Sequence, residues 1–471
     1  MLQTKQISKN LFAAISAQVL SLIVSFIFGF IVPKFIDELA YSYWQMFLLY
    51  MGYVNIFQFG LLDGFILRYS SYDYKDLEKS RIRSLYYVLL FFTSIPAFIT
   101  AVVSVLFVDD TNYRYVVLMI AIGIITKNVF YYTSYTFQST NRITRYSLFV
   151  IIQRTVYVLS VVTCLLLKVQ NFCFYCLAEI AGDLVATLFG FLCGRELYIG
   201  KSMSLKETAH EAKDCIFAGV PLMIANVSSG LYIGSVKMIT QWRWGEIVFG
   251  KISFAFSLYT VFLSFTIAIS VVLFPSLKRL KDEELPELYR KIHTAISPIL
   301  FFVLLVYFPM CYILERWLPN YASSLRYLGM LLPLMVFDAK ISLLTNNYLK
   351  IYRKEGIMLG INTIALAFCF LGGIISAYWI NNLDLLIIVL ILACVARSIV
   401  SEIVVMKLIG QKHIGNFVVE IIMALSFVFF VRYLSLRWAL IAYCCALAIY
   451  TIINRKSIIV LFQSLKRCFH R

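Results

Sequence analysis

The sequence predicts an all-α polytopic membrane protein of about fourteen transmembrane helices, arranged as two pseudo-symmetric six-helix lobes plus a C-terminal helix pair. Three observations carry that expectation. Across 471 residues, 61% of the side chains are hydrophobic and only 14% are charged, which is more apolar surface than a soluble core buries. The apolar residues gather into runs near the roughly 20 residues that a helical span needs. The polar stretches between these runs are too short to hold a soluble domain of ordinary size.

The first span is expected at about 11–33, after MLQTKQISKN. It is too long for the apolar region of a signal peptide and is read as a retained helix. Further spans are expected at about 43–66, 84–108, 115–136, 146–167, 172–193, 216–239, 247–275, 292–314, 323–348, 357–379, 385–406, 416–431 and 438–454. The segment 416–431 is short and carries Glu420, so a twelve-span arrangement with a differently placed C-terminal hairpin is the alternative. Alternate loops together with the two termini hold 28 Lys and Arg residues, against 7 in the opposite loops, which places both ends in the cytoplasm.

Two charged loops suggest a half-length repeat. RYSSYDYKDLEKSRIR follows the first two spans, SLKRLKDEELPELYRK follows spans seven and eight, and a polar linker from Arg195 to Asp214 separates the halves. Six helices lie between the matching loops, so the halves point the same way in the membrane. The expected division is a lobe at 1–200, a lobe at 201–412 and a helix pair with a basic tail at 413–471. Such lobes enclose a cavity and can rock between inward and outward openings.

The net charge of +17 does not indicate nucleic acid, because the basic residues sit in short clusters between apolar spans. That pattern orients helices and attracts anionic membrane lipid. Eleven cysteines lie mostly in apolar segments; Cys173 and Cys176 form FCFYC without a second pair or a histidine cluster, and read as small buried hydrophobes. GEIVFGKI, Gly245–Ile252, has Ile252 where a phosphate-binding loop needs Ser or Thr, and no strand precedes it. GFLCG, Gly190–Gly194, has the spacing of a helix-packing motif. Asn226-Val227-Ser228 lies within a span and cannot accept a glycan. With four histidines in or beside loops, no metal site, catalytic residue or cofactor is expected.

The charges inside spans carry the functional signal. Asp63, between Gly60 and Gly64, costs about 2.5 to 3.5 kcal/mol at the centre of a spanning helix unless one side faces protein or water. Lys127 and Arg154 lie near mid-depth in spans four and five, and Glu179 and Asp183 form an i, i+4 pair on span six. Arg154 and Asp183 share a depth, so a buried ion pair between them is one reading and a free cation the other; Lys127 has no evident partner. Lys237 and Lys251 lie in spans seven and eight, near enough to the outer ends to snorkel. Lys340 and Asp338, two residues apart, face different ways; Arg397 is at mid-depth with Glu402 below it, and Arg326 reads as interfacial. A surplus of Lys and Arg in a cavity suits a phosphate or pyrophosphate. Lys127, Arg154, Lys237, Lys251 and Arg397 are therefore the expected substrate contacts. Asp63, Glu179 and Asp183 are the expected gate or coupling residues, for a proton or a sodium ion.

The stretch YWQMFLLYMGYVNIFQFGLLDGFILRYS resembles the second helix of the Wzx-type polysaccharide-unit flippases. These belong to a superfamily that also holds multidrug and toxic-compound extruders and lipid II flippases. The resemblance extends through GVPLMIANVSSGLYIGSVKMIT, SVVLFPSLKRL and ERWLPNYASSLRYLGMLLPLMVFDAKISLLTNNYLKIYRKEG. It implies a monomer of the bacterial inner membrane that moves undecaprenyl-pyrophosphate-linked oligosaccharide to the periplasmic leaflet. The head group would sit in the cationic cavity and the tail in the bilayer, with a polysaccharide polymerase and a chain-length regulator as partners. A drug extruder on the same fold would show an acid-dominated cavity. A polymerase would need large outer loops, whereas DDTNYR and NNLD are short.

Overall fold

A computed structural model of the chain describes residues 23–70, 72, 74–140, 142–277, 283–410 and 417–453. The start of the first expected span at 11–22, the basic residues at 278–281, the loop at 411–416 and the basic tail lie outside the described residues. All regular structure among the described residues is helical. The chain divides into two compact units, Met1–Gly230 and Leu231–Arg471.

The first unit contains α1 (Ile23–Phe35), α2 (Glu38–Gln58), α3 (Leu61–Tyr69), α4 (Lys79–Phe107), α5 (Thr111–Ser139), α6 (Ile143–Leu166), α7 (Phe172–Cys193) and the beginning of α8 (Leu205–Leu277). Helix α5 is central and packs on α2, α3, α4, α6 and α7. It buries Ile120, Ile124, Asn128 and Tyr132. Helix α4 instead exposes Phe91, Phe98, Leu106 and Phe107, side chains that are at ease in hydrocarbon.

Helices α2, α5 and α7 begin at Asx caps, which pair amides that the helix itself leaves open. Asp37 accepts from Leu39 N at 3.0 Å, Asp110 from Tyr113 N at 2.6 Å and Asn171 from Cys173 N at 2.9 Å. Helix α13 (Leu383–Leu408) of the second unit starts the same way, on Asn382. These short, capped turns let antiparallel helices follow one another with few unpaired backbone groups.

The second expected span is broken. Phe59 (φ 52) and Gly60 (φ 82) take the left-handed conformation, and α2 meets α3 at 63°. Glycine at 60 and 64 allows α3 to lie directly on α8: a Cβ on Gly64 would strike the Cys215 backbone, and one on Gly219 would strike Gly60 O and Gly64 N. The GFLCG spacing behaves differently. Gly190 packs against Thr133 and Phe149, but Gly194 lies past the end of α7, against Leu197.

The second unit contains the rest of α8, then α9 (Leu285–Trp317), α10 (Pro319–Leu331), α11 (Leu334–Ile351), α12 (Glu355–Trp379), α13, α14 (Phe417–Tyr433) and α15 (Leu436–Ile453). Helix α11 lies between α9 and α13, and all residues of Leu334–Lys340 are buried. Helix α14 packs on α10, and α15 packs on α14 and α9.

Nine helices among the described residues are long and apolar enough to cross a bilayer, and two bent pairs, α2–α3 and α10–α11, raise the number to eleven. The expectation of fourteen differs in three places. Only Ile23–Phe35 of the first span is described, α14 has 17 residues, and α8 counts once although Gly245 (φ 78, ψ −175) breaks it between the spans expected at 216–239 and 247–275.

Candidate functional site

A cavity of about 360 Å³ opens in the first unit among α2, α5, α6 and α7. Helix α5 presents Lys127, Tyr131, Ser134, Tyr135 and Gln138 to it, a stripe at helical spacing. Helix α6 adds Tyr146, Gln153 and Arg154, and α7 adds Glu179. The lining is thus mostly hydroxyl, amide and charge, inside a unit whose outer faces are apolar.

Lys127 anchors the wall. Its Nζ lies 2.8 Å from Glu179 Oε1 and 3.1 Å from Asp183 Oδ2. Gln153 Nε2 donates to Asp183 Oδ1 at 3.1 Å, and Asp183 is wholly buried. The i, i+4 spacing of the two acids puts both on the face of α7 that meets α5, so one ammonium serves both. Burying a lone charge costs several kcal/mol, and this arrangement leaves Lys127 matched.

Of the two readings of Arg154, the ion pair with Asp183 does not form. The two residues share a depth but not an azimuth: Gln153 occupies the face of α6 that meets Asp183, and Arg154 points about 100° further round the helix. Arg154 lines the cavity, makes no ion pair among the described residues, and its Nε is buried without a hydrogen-bond partner. Glu179 Oε2 is likewise buried without a hydrogen bond. Counting Lys127, Arg154, Glu179 and Asp183 as ionised, the site is neutral and not cationic.

Asp63 is not among the residues that line the cavity. Gln58 Nε2 donates to it at 2.6 Å and Asn226 Nδ2 at 3.2 Å, while Gln58 Oε1 accepts from Leu62 N. Its partners are therefore neutral amides, at the break between α2 and α3. Beyond it Arg68 pairs with Glu211 at 3.0 Å and Asp214 at 3.1 Å, and Tyr69 donates to Glu211 at 2.7 Å. The linker is tied down as well. Arg83 donates to the carbonyls of Glu196 and Lys201, and Tyr74 Oη donates to Glu196 at 2.7 Å. Burial and the Glu196 carboxylate push the Tyr74 phenol up to about 12.

In the second unit Arg397 is also matched, and not free as expected. Its Nη2 lies 2.7 Å from Asp338 Oδ1, its guanidinium stacks 4.3 Å above the Tyr232 ring, and Tyr232 and Tyr259 donate to the same carboxylate. Lys237 and Lys251 are half-buried and make no ion pair among the described residues; Lys237 Nζ is 5.8 Å from the Phe249 ring centre. Arg326 shares Asp384 with Arg432, at 2.6 and 2.8 Å. Lys340 faces away from Asp338, as the sequence indicates, and meets Glu420 at 2.6 Å.

A bundle of membrane-length helices with ionisable groups buried in its interior defines a multi-pass membrane protein whose interior carries function, as opposed to an anchor. The chain belongs to the family described as polysaccharide biosynthesis protein, which residues 7–281 match. A comparison with curated proteins gave no match. Among solved structures, the chain is similar to the lipid II flippase MurJ in an inward closed conformation, with a TM-score of 0.63 at 10% identity, covering 95% of this chain and 99% of that one. It is also similar to a multidrug resistance MATE family transporter of the MOP superfamily, facing inward, with a TM-score of 0.59 at 12% identity over 83% and 98%. VcmN, a MATE transporter of Vibrio cholerae, gives a TM-score of 0.57 at 12% identity over 88% and 99%. At such identities the likeness concerns the fold, and it agrees with the superfamily expected from the resemblance.

Proposed function

We propose that the protein is a flippase that carries undecaprenyl-pyrophosphate-linked oligosaccharide across the bacterial inner membrane by alternating access, with both termini in the cytoplasm. Arg154 carries the reading: it is a guanidinium on the cavity wall with no carboxylate partner among the described residues. A guanidinium grips phosphoryl oxygens in a bidentate fashion, and the surrounding Gln138, Gln153, Tyr131 and Tyr135 offer donors and acceptors to sugar hydroxyls. The volume of about 360 Å³ falls in the range of small-molecule sites, so the first units of a head group fit while the lipid tail stays in the bilayer. Lys237 and Lys251 are the second unit's candidate contacts. Lys127 and Arg397 hold neighbouring carboxylates in place. Asp63, at the helix break, is the candidate gate. The family and the shared fold support this reading, in which a polysaccharide polymerase receives the product.

One observation favours a second reading, an ion-coupled extruder of organic cations: Glu179 Oε2 is buried in the same neighbourhood without a donor. Proteoliposomes loaded with a fluorescent polyprenyl-diphosphate oligosaccharide separate the two. The flippase exposes the label to an external quencher, and Arg154→Ala slows that exposure. Export of an organic cation without movement of the oligosaccharide would establish the extruder.

A further inference from the structure

The second unit buries another ionic cluster, remote in sequence from the cavity residues. Lys340 Nζ lies 2.6 Å from Glu420 Oε2 and 3.2 Å from Glu402 Oε1. His293 Nε2 lies 2.6 Å from Glu402 Oε2 and 3.3 Å from Lys340 Nζ. Ser398 Oγ donates to Glu402 at 3.1 Å and Ser297 Oγ to Glu420 at 2.6 Å. His293, Lys340, Glu402 and Glu420 come from α9, α11, α13 and α14, so four helices meet here.

The charges do not balance while His293 is neutral, since one ammonium then faces two carboxylates in a water-poor surrounding. One more proton brings the cluster to neutrality, and the geometry says where it binds. Nε2 donates to Glu402 and so has no lone pair for Lys340, which leaves two nitrogens competing for one carboxylate. Nδ1 makes no hydrogen bond among the described residues, and His293 keeps 14% of its side chain exposed while Lys340 and Glu402 keep 0% and 1%.

The other charged and titratable groups nearby, among the described residues, are accounted for. Tyr289 stacks on the His293 ring with centres 5.8 Å apart, Tyr348 stands edge-on to Tyr289 at 5.1 Å, and Tyr450 packs on Phe301 of α9 at 5.2 Å. Phenols stay neutral near neutral pH. Asp338, two residues before Lys340, is held by Arg397. The backbone beside the cluster departs from regular winding as well. Immediately after Lys340, α11 leaves α-helical winding for one π turn, Ile341–Thr345, a feature that concentrates at functional sites.

We propose that this cluster is a proton-binding site of the second unit: His293 takes one proton at Nδ1, the imidazolium secures Glu402, and Lys340 passes to Glu420. Protonation then changes which helices are tied together, α9 to α13 and α11 to α14. Nothing in this depends on what the protein carries.

The test uses the full chain in lipid nanodiscs with His210, His413 and His470 replaced by Gln and the remaining histidine labelled with ¹⁵N. The ring is titrated by solid-state NMR from about pH 5 to 9, the window in which histidine changes charge. The proposal expects one titration. Its midpoint falls by one unit or more in Glu402→Gln and rises by one unit or more in Lys340→Met, each roughly a tenfold change in proton affinity. A ring that keeps one charge state throughout overturns the proposal, as do midpoints that stay put or move the same way in both variants. If a variant does not yield folded protein, the titration of the parent alone decides, and a flat curve sinks the proposal.

Discussion

Lys127 Nζ lies between two carboxylates of one helix, 2.8 Å from Glu179 and 3.1 Å from Asp183, and so spends its charge inside the protein. Replacing Lys127 by Met leaves two acids facing each other without a counterion, at a cost of about 3–5 kcal/mol. The expected result is a lower melting temperature and less protein in the membrane, with partial recovery when Glu179→Gln and Asp183→Asn are added. Normal abundance of the single variant would reassign Lys127 to the substrate.

Arg397 and Asp338 form the equivalent lock in the second unit. Arg397→Met and Asp338→Asn should each destabilise strongly, and their double variant should be less damaged than the sum, by roughly 0.5–3 kcal/mol of coupling. Chemical denaturation of the purified protein measures it. Additive losses would mean that the pair does not act as a unit.

Gly64→Ala brings a methyl group against the Cys215 backbone. Overpacking of this kind typically costs about 1–3 kcal/mol. Gly360→Ala, in open space on α12, should be neutral or mildly stabilising, because alanine is the better helix former. Melting curves of the two variants should therefore shift in opposite directions or differ clearly in size.

Arg83 holds the linker through the carbonyls of Glu196 and Lys201. Charge-assisted hydrogen bonds contribute about 1.5–3 kcal/mol each. Limited trypsin digestion should cut Arg83→Ala sooner than the parent chain at Arg195 or Lys201. Equal cutting rates would show that the linker is held by something else.

Much of the fold was legible because hydropathy and turn chemistry act locally. The span expected at 172–193 coincides with Phe172–Cys193, and the turns before α5 and α7 announce themselves with Asp110 and Asn171. What failed needed neighbours that the sequence does not name. GFLCG has the spacing of a helix-packing motif, but Gly60 and Gly64 of GLLDG also make a close crossing, and only Gly190 of GFLCG packs against other helices. Arg154 and Asp183 matched in depth, yet a difference of one residue on α6 gave the contact to Gln153. Glu420 made its span look doubtful, and its reason for being there, Lys340, lies 80 residues away. Arg154, unpaired among the described residues, stands out in the sequence, but the choice between its two readings depends on which basic residue the acids of α7 meet.

Whether Arg154 holds the anionic head group is decided by equilibrium binding of a polyprenyl-diphosphate oligosaccharide to purified protein in nanodiscs. Loss of charge-assisted bonds predicts that Arg154→Met binds roughly ten- to a hundredfold more weakly at unchanged melting temperature. Undiminished affinity in a folded Arg154→Met protein would mean that Arg154 does not hold the head group.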